Sequence, residues 1–151
     1  MSMTDKNITK KIILYLINQL GDKIEGKKKL MKLMFLIEHY DFSKKKLVLE
    51  GSLGNTFRIY YYGVFSLEVM ECFNELVHEG HIIDGFPLKS KEKSELEEKE
   101  IKEKVGKVIS EFGEDLGYDL EVKTLKMMGI KPYEKKEYFG KSVAEIIKNK
   151  T

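Results

Sequence analysis

Apolar residues recur every four positions at the start of the chain. Ile8, Ile12, Leu16 and Leu20 form one stripe, which Ile13 and Ile17 widen. That period predicts an amphipathic helix from Asn7 or Thr9, either a suitable N-cap, to about Leu20, with Gly21 closing it. A second helix is expected from Gly26 or Lys27 to about residue 40. Its apolar positions Leu30, Leu33, Met34 and Ile37 share one face, and Met31, Phe35 and Leu36 make it apolar on most sides. A helix of that kind belongs at the centre of a domain. Lys28, Lys29 and Lys32 are then expected to project from its edge.

The period changes from about four to two after an irregular stretch at 41–55. Residues 57–62, Phe-Arg-Ile-Tyr-Tyr-Tyr, read as a strand. Alternation places Phe57, Ile59 and Tyr61 toward the core and Arg58, Tyr60 and Tyr62 on the other side. Gly63 breaks the strand, and Ser66 is a good N-cap for a helix over 67–79 closed by Gly80. His81, Ile82 and Ile83 form a short strand, expected antiparallel to 57–62 around that helix. Residues 88–100 are nearly all charged and read as a solvated linker or helix start. Ile101, Val105, Val108, Ile109 and Phe112 give the next helix a docking face. Shorter helices follow over 120–128 and 142–148. The pattern as a whole describes an α+β chain, mainly α: a winged-helix-like helical domain with a short antiparallel β-hairpin over 1–87, and a helical C-terminal extension over 88–151 packed on it.

Length and composition add modest constraints. A chain of 151 residues fits one domain and buries a core without covalent staples. Cys72 is the single cysteine, so no internal disulfide is possible, which fits a reducing cytoplasm. No apolar run reaches the 18 residues of a membrane span, and no secretory signal pattern is expected at the N-terminus. Charge is carried mostly by Lys and Glu with a single Arg, a bias shared by heat-adapted proteins, so a thermophilic source is one expectation and an AT-rich genome another.

The net charge of +2 hides a gradient. Residues 1–46 carry eleven Lys against five acids; residues 47–87 carry one Arg against six acids. The N-terminal segment alone is basic enough to approach a phosphate backbone.

The chemistry-bearing residue types do not assemble into a catalytic pattern. Cys72 and His78 are six apart on one helix, about 240° around its axis, and cannot share a metal. There is no CxxC or HxxxH spacing, no Ser-His-Asp arrangement and no phosphate loop, so no metal, no cofactor and no catalytic residue is expected. Cys72 is expected to be a buried structural thiol.

Three surfaces remain as binding candidates. Lys27, Lys28, Lys29 and Lys32 could contact phosphates, or could be a solvated face whose stems cover apolar neighbours. Arg58, Tyr60 and Tyr62 are residue types favoured at protein–protein contacts, and could also stack on bases. Glu68, Glu71, Glu75 and Glu79 share one face of the 67–79 helix, which has no Lys or Arg. Such a stripe repels DNA and suits a basic protein partner, or plain solvent.

Two segments resemble a known group. Lys28-Lys29-Leu30-Met31-Lys32-Leu33 and Tyr62-Gly63-Val64-Phe65-Ser66 resemble the paired motifs of YwgA-type proteins and, more distantly, of the SocA-like antitoxins that share the Panacea domain. Val64 stands where that group usually has proline. The resemblance spans residues 8–86. It implies a small, intracellular, non-enzymatic protein that binds a partner protein, neutralising a toxin or acting as an adaptor for its degradation. On that reading Arg58, Tyr60, Tyr62, Glu68, Glu71 and Glu75 are the partner-binding residues, and a homodimer is compatible with it. The alternative is a winged-helix DNA-binding regulator using Lys27, Lys28, Lys29 and Lys32.

Overall fold

The computed structural model describes residues 5–150. Helix α1 (Lys6–Leu20) begins where the Asp5 carboxylate accepts from the N–H groups of Asn7 and Ile8, so the cap lies two residues before the earliest one expected. Gly21 ends it with φ +54. A single 3-10 turn leads to helix α2 (Lys27–His39). From Lys29 to His39 every residue of α2 is buried, which is the central position its all-round apolarity implies. α2 packs on helices α4 (Lys99–Phe112) and α5 (Gly117–Met127), and α1 packs on helix α3 (Leu67–His78).

Three two-stranded antiparallel ladders decorate the helices. β1 (Tyr40–Asp41) pairs with β2 (Lys46–Leu47) within the stretch expected to be irregular. β3 (Arg58–Tyr60) pairs with its neighbour β4 (Gly63–Phe65), in register Arg58↔Phe65 and Tyr60↔Gly63. β5 (Ile82–Ile83) pairs with β6 (Lys89–Ser90). The expected pairing of 57–62 with 81–83 is therefore incorrect. Each strand pairs with a segment a few residues away, and a short closure costs less entropy than one spanning α3. The linker over 88–100 is also more structured than its charge suggested, because Leu88 and Leu96 are buried.

The remaining boundaries follow local chemistry. The Ser66 hydroxyl accepts from Val69 N–H at 3.3 Å and caps α3. Gly80 follows α3 with φ +83. Ser142 caps helix α6 (Val143–Asn149) in the same way, accepting from Glu145 N–H at 3.1 Å. A seven-residue 3-10 segment, Pro132–Tyr138, precedes α6 and lies along β3.

The result is a mainly helical α+β fold with one hydrophobic core. That core runs without interruption from α1 and α2 into Val105, Val108, Leu120, Leu125, Val143 and Ile146, so residues on both sides of position 87 share it. No helix among the described residues is long and apolar enough to cross a membrane.

Candidate functional site: an aromatic cleft over a buried lysine

The two segments that carry the family resemblance meet in space. The first turns of α2 contribute Lys27, Lys28, Met31 and Lys32. The β3–β4 hairpin contributes residues 60–65, and Met70 of α3 completes the wall. Together they enclose a cleft of about 440 Å³. The alternation rule fails at its tip. Residues 61 and 62 form the turn between β3 and β4, so Tyr61 faces outward at 72% exposure instead of joining the core. Tyr60 and Tyr62 are also exposed, as expected. Lys28 Nζ lies 3.5 Å from the centre of the Tyr62 ring, a close cation–π contact. Tyr60 packs edge-on against Phe65, and Tyr61 edge-on against Phe139.

Lys32 also lines the cleft, yet it is only 2% exposed. It makes no hydrogen bond and no ion pair among the described residues. The carboxylate that acts on it electrostatically, Glu121, is already bonded to Lys135 at 2.8 Å. Lys135 donates in addition to the Tyr61 carbonyl. Burial pushes the Lys32 amine down to about 8; Glu121 opposes this shift, and Lys28 and Lys135 add to it. Gly63 has φ +89, and a Cβ there would sit 3.0 Å from Glu121 Cγ and 3.7 Å from Lys32 Cε. The turn and the close approach of these side chains both require glycine.

Other lysines of the expected basic edge lie elsewhere. Lys29 is buried, 1% exposed, and its ammonium donates to the carbonyls of Lys23 at 2.7 Å and Gly113 at 2.6 Å. It fastens α2 to the end of α4. Lys27 pairs with Asp84 at 3.3 Å. The expectation that Lys29 and Lys32 project from an edge is thus corrected: α2 is covered on that side by α5 and the hairpin, which leaves Lys27 and Lys28 at the surface.

The remaining candidates are partly engaged inside the molecule. The exposed Arg58 donates to the Gly140 carbonyl at 2.7 Å, and Ile59 N–H donates to the Lys141 carbonyl. The C-terminal segment therefore borders the strand without covering its tyrosines. Of the acidic stripe, Glu68 accepts from Thr56 N–H and from the Ser66 hydroxyl. Glu75 pairs with Lys6 and Lys10, which hold its carboxyl below the ordinary range, and Glu79 pairs with Lys10. Glu71 stays at the surface of α3.

Glu121 and Lys135, which act on Lys32, are neighbours that sequence reasoning missed. Nothing local marks them, because each comes near Lys32 only through the packing of its own segment. Among the described residues, no cluster of three or more His, Cys, Asp or Glu side chains could hold a metal ion, and Cys72 is buried. Burial raises its thiol pKa, as expected of a structural cysteine. No family model matches the chain, and neither a curated protein nor a solved structure was found similar to it.

Proposed function

We propose that this chain is a non-enzymatic interaction module of the YwgA and Panacea kind, which binds a partner protein stoichiometrically as an antitoxin or adaptor. The observation that carries the reading is the convergence of the two motif segments on one exposed aromatic tip. Tyr60, Tyr61 and Tyr62 stand at 41, 72 and 57% exposure beside Lys28 and Arg58. Tyr and Arg supply large contact area with a polar handle, and they dominate protein–protein hot spots. A cytoplasmic setting fits the single buried thiol. The acidic contribution narrows to Glu71, since Glu68 and Glu75 have internal partners.

DNA binding by a winged-helix-like element is the rival. The burial of Lys29 and Lys32 favours the protein-partner reading, because two of the four cations that would neutralise phosphates are unavailable.

The test is capture of partners from source lysate by the tagged protein, with and without nuclease, in parallel with a Tyr60→Ala/Tyr62→Ala variant. The expected result is one stoichiometric protein that survives nuclease and is lost from the variant. Nucleic acid that co-purifies, and disappears with nuclease and with salt, would replace this reading by the DNA-binding one. A protein partner retained by the tyrosine variant but lost from Glu71→Lys would move the interface to α3.

A further inference from the structure

We propose that the cleft between α2 and the β3–β4 hairpin binds a small organic monoanion, a carboxylate carried on a flat apolar body, with Lys32 as its counter-ion. This goes beyond the partner-binding reading and does not depend on it. Partner docking uses the exposed tyrosine faces, whereas the ligand site uses the buried amine.

The first argument is the state of Lys32. A buried ammonium normally finds a carboxylate or several carbonyls, because leaving it unpaired forfeits its hydration without replacement. Lys29, one turn earlier on the same helix, shows how this chain satisfies such a group, with two carbonyl acceptors. Lys32 is as deeply buried but has no acceptor among the described residues, and it lines an open cleft. An anion entering that cleft supplies what the protein does not.

The second argument is the charge around it. Lys28 on α2 and Lys135 on the 3-10 segment face Lys32 together with a single carboxylate, Glu121 on α5, which Lys135 already holds. Lys27 at the rim is held by Asp84. The tyrosines of the hairpin, residues 60–62, are the other titratable groups that line the cleft. The cleft therefore carries a surplus of positive charge.

The third argument selects the kind of anion. The surface facing the cleft is almost wholly apolar, built from aromatic rings and the side chains of Met31, Val64 and Met70. A phosphate dianion needs several N–H or O–H donors turned toward it, whereas the surface facing this cleft is almost wholly apolar. A monoanion with a flat hydrophobic body finds one ammonium, a second at the mouth over Tyr62, and apolar surface elsewhere. The volume of about 440 Å³ falls within the range of small-molecule pockets.

The test is titration calorimetry of the full chain with 2-naphthoate and with its neutral isostere 2-naphthamide. The expected result is naphthoate binding about tenfold more tightly than the amide. At pH 8 its binding should take up protons, read as a dependence of the heat on the buffer's ionisation enthalpy, because the anion returns Lys32 to its charged form. In Lys32→Met the preference for the acid and the proton uptake should both vanish while the amide still binds. Equal affinity of acid and amide for the native chain, or no binding of either at millimolar concentration, overturns the proposal without recourse to any variant. So does an acid preference that persists in Lys32→Met. Failure here leaves the lysate capture experiment unaffected, and the converse also holds.

Discussion

At the scale of single residues, Lys32 and His39 make the stability of this chain depend on pH in two separate windows. Lys32 is held at about 8, below its ordinary 10.5, because burial penalises the ammonium. At pH 7 the folded protein keeps that amine charged in an unfavourable site; as pH rises from about 8 toward 10.5 the folded state has released the proton and the unfolded state has not, so stability increases. Lys32→Met removes the charge and preserves most of the stem, so it should stabilise the fold at pH 7 by on the order of 2 kcal/mol. Urea denaturation at pH 7 and pH 10 checks this, and the gap between variant and native chain should shrink at the higher pH. His39 acts on the acid side. It is buried against Phe35 and Phe57, its Nδ1–H donates to the Val48 carbonyl at 3.0 Å, and burial lowers its pKa below 6.5. Because the folded value lies below the unfolded one, the neutral ring contributes stability that is present above pH 6.5 and lost as pH falls through the folded value. A His39→Gln variant should therefore be destabilised at pH 7, and its denaturation midpoint should fall less than that of the native chain between pH 6.5 and 5.

At the scale of elements, the β3–β4 hairpin places the tyrosines, and Gly63 fixes the hairpin. Its φ of +89 suits glycine alone, and the space a Cβ needs is occupied by Glu121. Gly63→Ala should cost about 1–2 kcal/mol from the backbone alone. It should also push Glu121 from Lys135, which thermal denaturation and the intrinsic fluorescence of Tyr61 and Tyr62 would report together. This element also shows what the sequence allowed a reader to see. The Ser66 cap, the Gly80 stop and the inward Phe57 and Ile59 are local signals and stand in the structure as read. Tyr61 was misplaced because a strand of three residues ends before alternation reaches it, and no residue type distinguishes a turn tyrosine from a strand tyrosine. Lys29 and Lys32 were misplaced for a different reason. Their burial is decided by segments far along the chain, such as the Gly113 carbonyl 84 residues from Lys29. Periodicity identifies which face of a helix is apolar, but not whether a later segment covers the polar face as well.

At the scale of the whole molecule, the continuity of the core decides whether the motif-bearing segment is a domain. Residues 1–87 contain both motifs, which invites their treatment as an independent unit. Twelve of the thirty-seven buried apolar side chains among the described residues nevertheless lie beyond position 87, from Leu88 and Leu96 to Ile146 and Ile147. Those on α4 and α5 pack on α2, whose contacts to these two helices are among its most extensive. A buried aliphatic or aromatic side chain contributes roughly 1.5–3 kcal/mol of burial free energy, and losing these twelve also exposes the apolar surface they cover on residues 1–87. The buried Lys29 would also lose its Gly113 acceptor, and Phe57 and Ile59 would lose the backbone bonds they make with residues 140–143. A 1–87 fragment is therefore expected to lack cooperative thermal unfolding and to give collapsed amide dispersion in a proton–nitrogen correlation spectrum. Adding residues 88–151 in trans should restore both if the two parts associate. A fragment that melted cooperatively by itself would show that α1, α2 and α3 close a sufficient core without α4 and α5. The cleft would then have to be assigned to that smaller unit, with the Glu121–Lys135 pair as an accessory to it and not as part of its frame.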